Sequence, residues 1–475
     1  MKSSELNIVI FGRGLAGLMT ALALEKALGE SVQIQLVDSP QATEDEHVYG
    51  TVTSPTAYEF LRQIGLDEPV LFSRSATSFS FGTQYLNWPG APADWVQCHH
   101  QILPALMGIP LQHHLARANR SIAPLLVSDL AARQGKFAHP PEDASNPLSR
   151  AEYGYQFASQ EWCEILRSAL PSSRIQYIRD SQVTVSTDAH KQVTLTLSTG
   201  ERVAGDLFID CSGAEGALMT VLGNSFRPTR AVKIEHRAED VERLGPACRR
   251  VSASASGWTA QTYLQNAVQT TLVHDIAVAE SGDRRVFGHR SEAWVGNCIA
   301  IGASASVHDP LSPAPMIMLQ RDIERLLELV PVGRGFAIER REFNRRFTND
   351  VAHCDMFTGA FYETRNTHND SFWETAQKVY GSPGLERKIR QFESRGVLVR
   401  YDLEPFNDED WTILHRGIGR MARRFDLQAM SVDQGELNRQ LDMMSGAVSE
   451  LVARMPPHHV YVANMKRYFE KQRYG

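Results

Sequence analysis

Three glycines, Gly12, Gly14 and Gly17, stand at G-x-G-x-x-G spacing directly after the apolar run 7–11. That pattern takes the diphosphate of a dinucleotide. The first glycine makes a tight turn, the second lets phosphate approach the backbone, and the third lets a helix pack closely on a strand. Leu15 and Ala16 open the helix that follows, and a helix start offers free N–H groups and a positive dipole end to an anion. Asp38 ends the next apolar run, at the separation where an acid accepts from the hydroxyls of an adenosine ribose. Glycines, helix, strand and acid in this order are far more specific than the glycines alone. Metal chemistry has no such signal. The cysteines Cys98, Cys163, Cys211, Cys248, Cys298 and Cys354 form no C-x-x-C pair, and the histidine pairs 99/100, 113/114 and 458/459 are neighbours in sequence whose rings need not converge.

The elements that must hold these residues are legible in outline. Residues 7–11 and 32–37 read as buried strands around a helix over 15–28, which Gly29 ends. Residues 39–47 are a polar, acidic loop, and 51–56 a tight small-residue connection after Val48-Tyr49-Gly50. A helix over 58–64 stops at Gly65, and 78–88 alternates as one strand until Pro89. From about 153 the chain returns to the first domain with a helix over 161–170, a strand pair over 182–186 and 192–198, and a buried strand running into Ser212-Gly213. Mixed sheet over 230–290, a strand-to-glycine junction at 298–302 and a helix over 315–329 follow, and from 336 onward the chain is charged and mostly helical. The expected class is α/β, an FAD-type Rossmann-like box of the glutathione-reductase kind. Residues 1–45 and 150–335 form the nucleotide module with its inserted sheet, and 46–149 and 336–475 a substrate-facing layer with C-terminal helices.

The chain has 475 residues, enough for two or three ordinary domains, and a formal net charge of −6, which argues against a nucleic-acid surface. Six residues separate Met1 from the first strand, too few for a signal peptide, and no apolar run reaches a membrane-spanning length. A cytoplasmic protein is expected.

Several strings in series resemble the flavin-dependent tryptophan halogenases. They are the glycine segment, 50–56, Phe79 through Asn87-Trp88, 206–213, Ser256-Gly257-Trp258, Trp294-Val295 with Asn297-Cys298, Asp309-Pro310-Leu311 and Phe372-Trp373, covering most of 5–420. The resemblance implies an FAD box facing a largely helical layer, O2 chemistry on reduced FAD, and a separate flavin reductase. It implies cofactor contacts at Gly12, Gly14, Leu15, Ala16, Gly17, Asp38, Gly50, Val183, Gly213, Gly302 and Ala303. It also implies catalytic positions. The family's lysine falls at Gln84, its glutamate at Ser312, and a pocket histidine at His113.

An amide cannot form the N-halo adduct of an amine. The family's halide-framing Ser-Thr-Gly reads Pro313-Ala314-Pro315, and Pro315 has no N–H to give an anion. The expectation is therefore oxygen transfer to an aromatic, indole-like substrate, with Tyr85, Trp88 and Trp258 as stacking candidates. Two other readings stand beside it. One is a halogenase with a rearranged site, for which Lys233 and Glu235 qualify by residue type. The other is a non-catalytic or maturation flavoprotein acting on a protein- or carrier-bound residue. A homodimer is allowed; nucleic acid and membrane partners are not expected.

Overall fold

The computed structural model describes residues 6–277, 281–330, 335–364, 371–396 and 398–474. Its first layer is a six-stranded sheet in the order Trp294–Val295, Cys298–Ala300, Leu207–Asp210, Leu6–Phe11 (β1), Val32–Asp38 (β2), Gln176–Arg179. All pairings are parallel except the edge hairpin of Trp294–Val295 with Cys298–Ala300. The β1 side chains Ile8 to Phe11 are fully buried, as a parallel strand covered on both faces requires. Helix α1, Leu15–Leu28, crosses between β1 and β2 and buries every side chain from Leu15 to Leu24. The C-terminal ends of five adjacent strands therefore open onto one edge, where Gly12, Gly213 and Gly302 lie.

The second layer is an eight-stranded sheet drawn from distant segments. Its order is Ser306–Val307, Asp283–Arg290, Phe226–Asp240, Ala267–Asp275, Gly257–Tyr263, Arg249–Ser254, Gly82–Leu86 (β3) and Trp95–Cys98 (β4). Arg249–Ser254 runs parallel to β3, so residues far apart in sequence share one surface. Helix Ala314–Leu329 (α2) packs on α1, and helices that follow it in the chain cover this sheet. They include Ala337–Tyr362 (α3) and Asp408–Gly417 (α4), the latter started by a capping box between Asn407 and Asp410. Among the described residues, no helix is long and apolar enough to cross a membrane, and no group of three or more His, Cys, Asp or Glu could hold a metal ion.

The run 78–88, expected as one strand, is two. Ser78–Ser80 pairs with Gly154–Gln156, and β3 pairs with Arg249–Ser254 and β4. The break lies at Gly82, whose φ of +150° is open to glycine, and a Cβ there would come within 2.9 Å of the Cys98 Cα. Gly82→Ala should therefore lower unfolding free energy by about 3 kcal/mol. Gly446→Ala, at an exposed site inside the helix Gln434–Arg454 with nothing nearby, should raise it by roughly 0.5–1 kcal/mol. Urea unfolding followed by circular dichroism checks both signs.

Candidate active site and dinucleotide groove

The groove begins where β1 meets α1. Gly12 donates its amide to the Val37 carbonyl at 3.1 Å, and a Cβ on it would sit 2.5 Å from the Cys211 carbonyl oxygen. Gly14 caps α1 in an extended conformation without a side-chain hydrogen bond, and the first turn carries no acidic residue of its own. The acid arrives from elsewhere. Glu44 Oε2 accepts the Ala16 amide at 3.2 Å, and a Cβ on Gly14 would lie 2.7 Å from the Glu44 Cβ. Burial pushes the Glu44 carboxyl up to about 7, against the lowering effect of hydrogen bonds from Tyr49, Ala16 and Leu15. Tyr49 donates to Glu44 Oε1 and accepts the Ala303 amide at 3.1 Å.

The other expected cofactor positions surround this segment. A Cβ on Gly213 would meet the Thr43 carbonyl oxygen at 2.7 Å, and one on Gly302 the Tyr49 ring carbon Cζ at 3.1 Å. The Gly302 amide donates to Asp322 at 3.1 Å, Gly50 donates to the His47 carbonyl at 3.1 Å, and Val183 donates to Gln41 at 2.7 Å. Asp38 accepts from Tyr177 and faces Arg13 at 3.6 Å and Arg179 at 3.7 Å. Beside Gly14 and Glu44 lies a cavity of about 190 Å³, flanked by Arg13 and Arg167; a second, of about 510 Å³, opens at Tyr177 and Arg179. Glycine turns that leave no room for a Cβ, a helix start and flanking arginines fit an extended anionic dinucleotide.

A smaller cavity, of about 20 Å³, lies between the second sheet and the helical layer, lined by Thr83, Tyr85, Gln97, His99, Ser312 and Phe357 among others. Its wall is fixed by buried charge. Arg249, 2% exposed, donates Nη1 to the Pro310 carbonyl at 2.8 Å and Nη2 to that of Leu311, which also accepts from Tyr85 at 2.8 Å. Burial pulls the Arg249 pKa down. Asp309 holds the same turn through the Leu311 amide at 3.1 Å, accepts from Tyr362 at 2.8 Å, and faces Arg230 at 3.5 Å. Thr83 Oγ1, Gln97 Oε1 and His99 Nε2 are buried without a partner among the described residues, around a space large enough for a water.

The family model described as "Tryptophan halogenase" matches residues 7–434. The chain belongs to the tryptophan halogenase family. Its fold superimposes on BrvH, a flavin-dependent halogenase from Brevundimonas sp. BAL3, with TM-score 0.89, 26% identity and coverage of 98% and 99% of the two chains. It also superimposes on the tryptophan 6-halogenase SttH from Streptomyces toxytricini, with TM-score 0.82, 19% identity and coverage of 97% and 100%. The 7-chloro-L-tryptophan 6-halogenase KtzR from Kutzneria sp. (strain 744) is 22% identical, covering 97% of this chain and 99% of KtzR. The protein is thus a flavin-dependent, halogenase-like enzyme with FAD as its cofactor.

In this tryptophan halogenase family member the three expected catalytic positions are not brought together. Thr83 and Tyr85 line the small cavity with Ser312, whereas Gln84, between them on β3, accepts from Arg250 Nε at 3.0 Å and is not part of the lining. Alternate residues of a strand face opposite sides, and Gln84 takes the other one. Ser312 Oγ accepts the Ala314 amide at 3.3 Å. His113, on the helix Leu111–Ala118, accepts the Asp426 amide at 3.3 Å, away from that cavity. Tyr85, Trp88 and Trp258 are buried framework. Trp88 donates to the Phe361 carbonyl at 2.8 Å, and Trp258 to Tyr362 at 3.1 Å. Of the residues named by type alone, Glu235 accepts from Arg237 at 2.8 Å, and Lys233 stands opposite Arg284 and His274 in the sheet.

Sequence reading missed Glu44, Arg249 and the Arg230–Asp309–Tyr362 group, and weighed His99 only with His100 as a metal-ligand pair. Only Asp309 carried a signal, inside Asp309-Pro310-Leu311.

His99 has the clearest pH consequence. Burial, with His100 and Arg249 nearby, lowers its pKa from 6.5 to about 3. Its stabilising contribution is therefore fully present above pH 6.5 and is lost as pH falls toward 3. Thermal melts of His99→Leu should fall less steeply than wild type between pH 6.5 and 4. Parallel slopes would show that the imidazole is not buried neutral.

Proposed function

We propose that this enzyme oxygenates an aromatic carboxylate, using FAD reduced by a separate flavin reductase and O2. When bound, reduced FAD with O2 supplies the oxidising equivalent; the chain supplies position and water exclusion. The observation that carries this reading is the lining of the small cavity. Ser312 is there, Gln84 is turned away to Arg250, and no lysine stands among the lining residues. Halogen transfer through a lysine amine has no group to act through at this point.

The substrate reading rests on the neighbouring cleft. It measures about 410 Å³ and is lined by Pro92, Trp95, Ile122, Ile413, Arg416 and Met421 among others. Trp95 separates it from the small cavity, its ring stacked on Tyr85 at 4.8 Å. Arg416 Nε and Trp95 Nε1 are buried donors without partners among the described residues. Gly417 lets the indole N–H come within 2.5 Å of where its own Cβ would be, beside Arg416. In a cleft lined also by Asp94, Arg120 and Asp129, the buried guanidinium with its free N–H is the group to take an anion, and a carboxylate carried on the side chain of an aromatic substrate satisfies both donors.

Halogenation is the second reading, favoured by the chemistry named for KtzR and BrvH. One assay separates the two. The enzyme is run with a flavin reductase, NADH, FAD and O2 on tryptophan, indole-3-propionate and indole, with and without bromide, and products are read by mass spectrometry. Addition of one oxygen irrespective of bromide supports the proposal; a bromine isotope doublet overturns it in favour of halogenation. Gln84→Lys should yield no brominated product, because that side chain meets Arg250 rather than the cavity. Arg416→Met should raise KM for indole-3-propionate roughly 10- to 100-fold while leaving indole unchanged.

A further inference from the structure

Three glycine turns at the C-terminal edge of the first sheet are the places where a dinucleotide's backbone would lie closest to the protein. One segment, 43–49, touches all three. The Thr43 carbonyl packs on Gly213, Glu44 on Gly14, and the Tyr49 phenol on Gly302. We propose that residues 43–49 form an internal competitor for FAD, with the Glu44 carboxylate held where the cofactor's diphosphate would bind, and that FAD binds by displacing it.

The chemistry of the contact is that of a phosphate site. A carboxylate oxygen accepts the Ala16 amide at 3.2 Å at the start of a helix that has no acidic residue in its own first turn. A phosphate oxygen would use the same N–H and the same dipole. At the other end of the segment, Tyr49 ties Glu44 to the second glycine junction, because its hydroxyl donates to Glu44 and accepts the Ala303 amide at 3.1 Å. The Glu44 side chain fills the space over Gly14, where the diphosphate would approach the backbone, so the two cannot share the site. Arg13, which faces Asp38 at 3.6 Å, and Arg167, which donates to the Arg13 carbonyl at 2.7 Å, line the adjoining cavity, while Asp45 and Glu46 extend the acidic run of the segment. The contact therefore has the form of a latch whose release energy is subtracted from FAD affinity.

The alternative is that Glu44 is only a helix cap, and the two roles predict opposite results. As a competitor, its removal tightens cofactor binding. As a cap, its removal destabilises α1 and leaves binding equal or weaker. Full-length wild type and Glu44→Ala are titrated with FAD, followed by flavin fluorescence, and with ADP, which carries the diphosphate without the flavin, by calorimetry. Glu44→Ala should bind both ligands at least tenfold tighter. Equal or weaker binding, with unchanged far-ultraviolet circular dichroism, overturns the proposal. Should neither protein bind FAD, the FAD assignment falls with it; should both bind equally, only the latch falls. If Glu44→Ala does not fold, hydrogen exchange on the wild type decides. The amides of 43–49 must lose protection when FAD is added, and unchanged or greater protection overturns displacement.

Discussion

The structure depends on a close approach of backbone to backbone at the ends of adjacent parallel strands. Between Gly12 and the Cys211 carbonyl there is no space for a methyl group, since a Cβ would sit 2.5 Å from the oxygen. Because β1 and Leu207–Asp210 meet this tightly, the strand ends leave a continuous edge onto which α1 presents its N-terminus. The groove, its arginines and the segment that lies in it all take their places from that edge.

A second constraint is buried charge. Arg249 is held by the Pro310 and Leu311 carbonyls rather than by a carboxylate, and Arg230 shares Asp309 with Tyr362. Deeper in the helical layer, Arg325 bridges Asp322 and Asp350, and Asp322 in turn accepts the Gly302 amide at 3.1 Å. Breaking one partner of such a group leaves an uncompensated charge in low dielectric, at a cost of about 3–5 kcal/mol. These groups fix the two turns, at Gly302 and at Pro310-Leu311, that face the groove and the small cavity. Rigidity at the site is thus bought with desolvated ions, while in the neighbouring cleft one guanidinium N–H has no partner among the described residues.

Much of the first layer was legible because its signals are local. The expected helix over 161–170 is Ser159–Ala169, the helix over 315–329 is Ala314–Leu329, and the strand pair over 182–198 is the hairpin Thr184–Thr187 with Val193–Thr196. The second layer was less legible. Its β3 belongs with Arg249–Ser254 through a parallel pairing that no local pattern encodes, and Gly82 divides a run whose alternation looks continuous. The loop 39–47 read only as polar and acidic, which conceals that one of its acids sits on a helix start.

The amino-acid sequence by itself determined the nucleotide box. Its glycines, apolar strands and terminal acid work through turn geometry and side-chain periodicity, which act within a few residues. It also determined family membership through short strings kept in order. Tertiary structure alone decided which side chains face one another. Gln84 turned to Arg250 and Ser312 to the cavity, because facing depends on how distant strands pair. Glu44 reached the amide of Ala16 and Arg416 came to line a cleft beside Trp95, because burial and electrostatics act through space and not along the chain.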